Sequence, residues 1–231
     1  MNPLDKIRLG LRDVLPVVLA YFPLAAAFGV LASASGMPAH YNFLTSAWIY
    51  SGGAQFMLLS LLGDAISPFT IISTLLLVNM RHIMYGTSIG PHVRGWSEPH
   101  KWLGAFGLTD EVFAVVSSRL DKNERLSVPY FITVMLAAYG SWLAGTLAGY
   151  GLGTLIPSGM AEILGFALPA LFIALLFGSE RSRADWTAAL CGALLATLAA
   201  LLNAGGIGIV LGGLLGAAVA MKVRPKKREH S

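Results

Sequence analysis

Four ionisable residues stand inside otherwise apolar stretches: Arg81 and His82 within 67–91, and Asp110 and Glu111 within 102–118. The run Asn79-Met80-Arg81-His82-Ile83-Met84-Tyr85-Gly86 offers an amide, a fixed cation, an imidazole and a phenol within two helical turns. In a helix, Arg81 and Tyr85 share a face at i and i+4, and Asn79 and His82 are neighbours at i and i+3. Thr109-Asp110-Glu111 falls about midway along 102–118, so antiparallel packing of the two segments would bring an acid to the depth of Arg81. Ionisable groups at membrane depth mark solute pathways and proton relays. The plainer alternative is an Arg81–Asp110 pair that only locks two helices together. A further polar position is Gln55, which follows Gly52-Gly53 in the run SGGAQF. Adjacent glycines weaken a helix, and unwound segments in transporters present freed amides, carbonyls and half-helix dipoles to the solute. Close helix packing is the other use of those two glycines.

The elements that must hold these residues follow from composition. Of 231 residues, 55% are apolar and 12% charged, and the mean hydropathy is +0.68. A soluble domain carries about 25% charged residues, so this chain lacks the side chains to cover a water-facing surface. That excludes a soluble globular enzyme, a disordered protein and a free nucleic-acid binder. The net charge of +4 comes from short basic clusters between charge-free runs, the pattern of cytoplasmic loops. The expected partners are the lipid bilayer, small solutes and other membrane chains, with no nucleic acid.

A span needs about 20 mainly apolar residues, and a charge at its centre costs roughly 2.5–3.5 kcal/mol. Residues 14–63 hold no charge and divide into two spans at Gly36-Met37-Pro38-Ala39-His40. The runs 126–161 and 163–179 give one span each, and 186–221 gives two, separated by Asn203-Ala204-Gly205-Gly206. With 67–91 and 102–118 the reading is an all-α polytopic membrane protein of about eight hydrophobic segments, helical because lipid supplies no partner for backbone groups. The organisation is a cytoplasmic segment 1–13, one transmembrane permease domain 14–221 and a basic cytoplasmic tail 222–231. Lys6, Arg8 and Arg12 precede an apolar run that ends in Ala32-Ser33-Ala34. That run exceeds the roughly 7–15 residues of a signal-peptide core and reads as an uncleaved first span.

Basic residues at the amino terminus, in 119–125, in 181–183 and in the tail, against none in 36–42, 156–161 and 203–206, put both termini in the cytoplasm. Arg94 and Lys101 would face outward if the third and fourth segments both cross. A broken or re-entrant segment in this first half removes the conflict. Gly145, Gly149 and Gly153, and likewise Gly208, Gly212 and Gly216, recur at the four-residue spacing of a helix-packing face. His40, His92, His100 and Trp96 suit membrane interfaces. Glu162 also reads as interfacial, and the basic tail suits topology or anionic lipid. Cys191 is the single cysteine, so no intrachain disulfide forms. No phosphate-cradling loop or metal-ligand spacing appears, and neither a cofactor nor a metal is expected.

The runs SGGAQF, NMRHIMYGTSIGP and LTDEVFA, in this order and at these separations, resemble the signatures of the AzlC family. It is also called the BrnF or LIV-E family, the large subunit of two-component branched-chain amino acid exporters. The resemblance extends from about Arg12 to the last span, with a glycine at Gly53 where many relatives have a serine. It implies a multi-pass permease of the bacterial inner membrane that works with a small AzlD-type subunit. It also implies export of leucine, isoleucine, valine or related amino acids, driven by the membrane ion gradient.

On that reading, Arg81 and the freed amides near Gly52 and Gly53 meet the carboxylate of an amino acid zwitterion, and Asp110 or Glu111 meets its ammonium group. Gln55, Asn79 and Tyr85 line the pathway, and Phe56, Met57, Met84 and Tyr85 form the apolar pocket. Asp110, Glu111 or His82 exchanges a proton. Three other classes compete. A transporter of another small solute needs the same groups. A structural membrane subunit needs none of these charges at depth. An intramembrane serine hydrolase would rest on Ser51 and His82, but Tyr50-Ser51-Gly52 lacks the glycine that a nucleophile elbow requires.

Overall fold

The computed structural model describes residues 2–63, 68–120, 125–153, 182–202 and 205–223, with isolated positions between 155 and 177. The expected segment 163–179, the loop 156–161 with Glu162, part of the 203–206 turn and the tail beyond Val223 lie outside the described residues. No strand occurs among those described. In chain order the helices are α1 (Pro3–Ala34), α2 (Ala39–Trp48), α3 (Gly52–Gly63), α4 (Pro68–Asn79) and α5 (Arg81–Ile89). A 3-10 turn (Gly90–Val93) leads to α6 (Glu98–Phe106), α7 (Asp110–Leu120), α8 (Val128–Gly153), α9 (Arg183–Leu201) and α10 (Gly205–Val223). The chain forms two compact units, residues 1–65 with 80–168 and residues 66–79 with 169–231.

In the first unit, α1 opens where the Asn2 amide donates to Asp5 Oδ2 at 3.2 Å, with Pro3 at a position that needs no N–H. It stops at Gly36, whose φ of 73° lets Gly36 N reach Ser33 O and Met37 N reach Ala32 O, both at 3.0 Å. This is the left-handed closure that glycine accepts without strain. Against α1 lies α8, and the two run parallel: Gly10 sits beside Tyr130 and Thr133, Gly145 beside Phe22, Gly149 beside Ala26 and Gly153 beside Ser33. The glycine face of α8 therefore packs on a helix of its own chain.

The approach is close enough to exclude any side chain. A Cβ at Gly149 would lie 2.0 Å from Ala26 O, and one at Gly29 would lie 2.2 Å from Thr146 O. Gly149→Val must therefore push two backbones apart, at a cost of about 3 kcal/mol or more. The expected outcome is a collapse in folded yield, read by size-exclusion of detergent extracts. Gly140→Ala, with nothing within 4 Å of the new Cβ, should leave that yield unchanged.

Helix breaks occur in the first half of the chain, where a broken or re-entrant segment is expected. The stretch 40–63 is divided into α2 and α3, 67–91 into α4 and α5, and 102–118 belongs to α6 and α7. Tyr50, with φ 38°, turns the chain between α2 and α3, and Gly107-Leu108-Thr109 separates α6 from α7. These helices have 9 to 12 residues, and each is too short alone for about 30 Å of hydrocarbon. Among the described residues, α1, α8 and α9 are the helices long and apolar enough to cross.

In the second unit, Ser182 and Asp185 cap α9 reciprocally, at 2.9 and 3.2 Å. A Cβ at Gly212 would come 2.6 Å from Gly192 O, and one at Gly216 would come 2.6 Å from Ala188 O. These glycines bring α9 and α10 into backbone contact, and α4 packs on α10. Leu190, Leu194, Leu198 and Leu201 form an exposed apolar stripe on α9, suited to lipid.

Candidate functional site

The break between α2 and α3 builds one half of the site. Gly52 opens α3 under the indole of Trp142, whose ring would lie 2.7 Å from a Cβ there. Only a glycine admits the ring that closely. Trp142 Nε1 donates to Gln55 Oε1 at 2.9 Å, Gln55 Nε2 donates to Ser46 Oγ at 3.0 Å, and Ser46 Oγ meets Thr146 Oγ1 at 2.8 Å. Gln55 is fully buried and has both amide ends engaged, so in this state it ties α2, α3 and α8 together. Gly53 follows in the first turn of α3. Tyr50 is buried, stacked on Phe106 and edge-on to Tyr139, and its hydroxyl makes no hydrogen bond among the described residues.

The break between α6 and α7 builds the other half. Asp110 and Glu111 occupy the first turn of α7, where the helix dipole favours negative charge. Arg81 Nη1 pairs with Asp110 Oδ2 at 2.9 Å, and the Tyr85 hydroxyl donates to Asp110 Oδ1. The one-turn spacing on α5 thus delivers cation and phenol to the same carboxylate. The Arg81 and Asp110 side chains are 28% and 20% accessible, which leaves the pair reachable. Tyr21 donates to Glu111 Oε2 at 2.5 Å and shares a 2.7 Å bond with Thr109 Oγ1. Tyr85 stacks on Phe113 at 4.5 Å between centroids, and the His82 ring stands edge-on to Tyr85 at 5.5 Å. Gly107 is required by Met135, whose Cγ would lie 1.8 Å from a Cβ.

Tyr21 joins the halves. Its ring meets Trp142 edge-on at 5.1 Å, so one contact links Glu111 to the Gln55 network. Of the residues expected from sequence, Arg81, Tyr85 and Asp110 are in direct contact, Glu111 is the next residue, and His82 borders Tyr85. Gly52 and Gln55 converge on Trp142. Asn79 closes α4 and belongs to the second unit. Of the residues expected to form an apolar pocket, Phe56 packs edge-on to Phe28, Met84 is exposed and Tyr85 stacks on Phe113.

A second charged cluster has no counterpart in the sequence reading. Arg119 donates from Nε to Asp13 Oδ2 at 2.7 Å and from Nη2 to Oδ1 at 2.9 Å, and the Tyr130 hydroxyl donates to Oδ2 at 2.9 Å. The pairing ties the start of α1 to the end of α7 and the start of α8. Its partners are 106 and 117 residues apart, beyond any local spacing signal. A bidentate pair of this partial burial is expected to show a coupling energy of about 1–2 kcal/mol in a double-mutant cycle of Asp13→Asn and Arg119→Gln, measured by thermal unfolding in detergent.

The family model described as "AzlC protein" matches residues 16–156, more than half of the chain and all of the cluster built around Tyr21, Gln55, Arg81, Asp110 and Trp142. The chain belongs to the AzlC family. Among AzlC relatives, the inner membrane protein YgaZ of Escherichia coli is 36% identical over 192 residues, 80% of this chain and 78% of that protein. An uncharacterized membrane protein of Archaeoglobus fulgidus is 35% identical over 94% of this chain and 96% of its own. The branched-chain amino acid transport protein AzlC of Bacillus subtilis is 27% identical over 100% of this chain and 91% of its own. No solved structure matches the chain. The family resembled through SGGAQF, NMRHIMYGTSIGP and LTDEVFA is thus the family whose model matches, and the relatives named are membrane proteins or, in Bacillus subtilis, a transport protein.

Proposed function

We propose that this AzlC-family chain is a secondary transporter that exports branched-chain or related amino acids across a bacterial inner membrane. On this reading it is not an enzyme. It works as the large subunit beside a small AzlD-type membrane subunit and is driven by the ion gradient. The observation that carries the reading is the accessible Arg81–Asp110 pair at a helix break, backed by a second carboxylate on Tyr21. An amino acid zwitterion is complementary to an ion pair: its carboxylate replaces Asp110 at Arg81, and its ammonium replaces Arg81 at Asp110. The exchange inserts no net charge into a medium where charge is costly. Tyr85, bonded to Asp110, steers that carboxylate, and Glu111 on Tyr21 carries the coupling proton, with Asp110 and His82 as the other candidates.

A cytoplasmic location of both termini is part of the proposal. The parallel course of α1 and α8, together with the Asp13–Arg119 pair, supports one side for the amino terminus and the 119–125 loop. Cysteines placed in that loop should resist an impermeant label added outside intact cells; labelling would invert the orientation. The transport test is uptake of labelled leucine into everted vesicles under an imposed proton gradient. Uptake is expected with the small subunit coexpressed and little without it. Full activity of the purified single chain would overturn the two-component reading.

A further inference from the structure

Helices α1 and α8 run parallel, so their amino-terminal ends lie at one membrane surface, and the charge-free run of α1 starts just beyond that end, at Val14. Between these two ends and the end of α7 is a partly open pocket of about 10 Å³, with Lys6, Arg119, Arg125, Ser127 and Tyr130 in its wall. That volume is about one water-sized sphere, room for a single oxygen of a ligand whose remainder stays outside. Arg119 and Tyr130 both hold Asp13, which neutralises that corner. Lys6 and Arg125 make no ion pair among the described residues, and no described acidic residue lines the pocket. Two uncompensated cations therefore border it. The Phe131 amide donates to Ser127 O at 3.0 Å, which makes Ser127 the cap residue of α8. A serine there ordinarily turns its hydroxyl onto an amide of the first turn. Ser127 Oγ is instead buried with no hydrogen-bond partner. A buried hydroxyl left unbonded is costly, and an anionic oxygen is the partner that two cations and a helix amino terminus select.

We infer that this pocket binds the phosphate of an anionic phospholipid. One phosphate oxygen enters and takes the Ser127 hydroxyl, Lys6 and Arg125 flank the remaining charge, and the acyl chains extend into the bilayer past the level of Val14. Basic pockets between spans at a membrane surface suit such headgroups. A dissolved phosphate would shed its water for one buried oxygen, whereas a lipid phosphate is already concentrated at this level. A zwitterionic headgroup brings an ammonium that the same two cations repel. The bound lipid would join the start of α1 to the connection between α7 and α8, beside the Asp13–Arg119 pair.

Thermal unfolding of the detergent-purified full chain, titrated with phosphatidylglycerol, phosphatidylcholine or inorganic phosphate, tests this. Phosphatidylglycerol should raise the midpoint by about 5 °C at a hundredfold excess over its dissociation constant. The other two should raise it by no more than about 1 °C. Lys6→Gln combined with Arg125→Gln should need about 25-fold more phosphatidylglycerol for the same shift, about fivefold for each cation. Arg8→Gln removes the same charge from an exposed position of α1 outside the pocket, and should titrate as wild type. Ser127→Ala should weaken binding about tenfold without lowering the lipid-free midpoint, because its hydroxyl bonds nothing in the protein. Each variant is compared with its own lipid-free midpoint, which separates binding from folding. Equal lipid dependence in wild type and the Lys6, Arg125 double variant would overturn the site. An equal loss in Arg8→Gln would overturn it too, by making the effect one of bulk charge. A shift with inorganic phosphate as large as that with phosphatidylglycerol would overturn the lipid and make the ligand a dissolved anion.

Discussion

Membranes expressing the chain with Arg81→Leu and Asp110→Leu together are expected to contain folded, inserted protein that transports nothing. Replacing one partner is harsher on folding than replacing both. Asp110→Leu alone removes the carboxylate that meets Arg81 at 2.9 Å, and Arg81→Leu alone leaves a carboxylate held by Tyr85 without its cation. Each single change should destabilise the protein by about 3 kcal/mol, the lower end of the range for ion pairs removed from water, because the pair is partly accessible. Two leucines leave no unpaired charge between α5 and α7. They also remove both groups complementary to the zwitterion, so uptake into everted vesicles should fall to background. Wild-type uptake by the double variant would make the pair a structural lock and refute the site.

Glu111→Gln is expected to separate gradient-driven accumulation from simple exchange. The glutamine keeps an oxygen for the Tyr21 hydroxyl, which now reaches Glu111 Oε2 at 2.5 Å, so the packing of α1 against α7 survives. What disappears is a group able to gain and lose a proton. Leucine should then equilibrate across the vesicle membrane but not concentrate under an imposed proton gradient, and the dependence of uptake on pH should flatten. Accumulation equal to wild type would move the proton to Asp110 or His82. Tyr21→Phe should preserve folding and weaken the coupling partially, since Thr109 and the carboxylate lose the hydroxyl between them.

The charged half of the site is legible in sequence because its chemistry is anomalous for its surroundings. Arg81, Tyr85 and Asp110 are visible as polar groups in apolar runs, and the i, i+4 spacing of the first two already aims them at one partner. Gly52 and Gln55 are visible for the same reason, although what they meet is not. Tyr21 and Trp142 are amphipathic aromatics in long apolar helices, where such residues are ordinary core or interface members. Their contacts reach across 88 and 87 residues, to Thr109 and Gln55, and no periodicity encodes that. The helix breaks were half visible: adjacent glycines flag the start of α3, whereas the turn itself falls on Tyr50, a residue that gives no warning of positive φ. The 67–91 run hides its break best, because Asn79, Met80 and Arg81 are all acceptable helix formers.

The backbone contact between α1 and α8 bears on how such a molecule can move. Where two parallel helices touch through Gly29, Gly145 and Gly149, backbone meets backbone, and a slide there drives carbonyl oxygens into Cα atoms. They act as a stator. On the transport reading proposed above, alternation between inward and outward openings falls to the short helices, which meet that stator through Tyr21, Trp142 and the Asp13–Arg119 pair and are divided at 49–51 and 107–109. On that reading both breaks lie next to the groups assigned to solute and proton, which couples loading of the site to movement of the short helices. The positive φ of Tyr50 stands at one of these breaks, so relaxing that backbone would change the angle between α2 and α3.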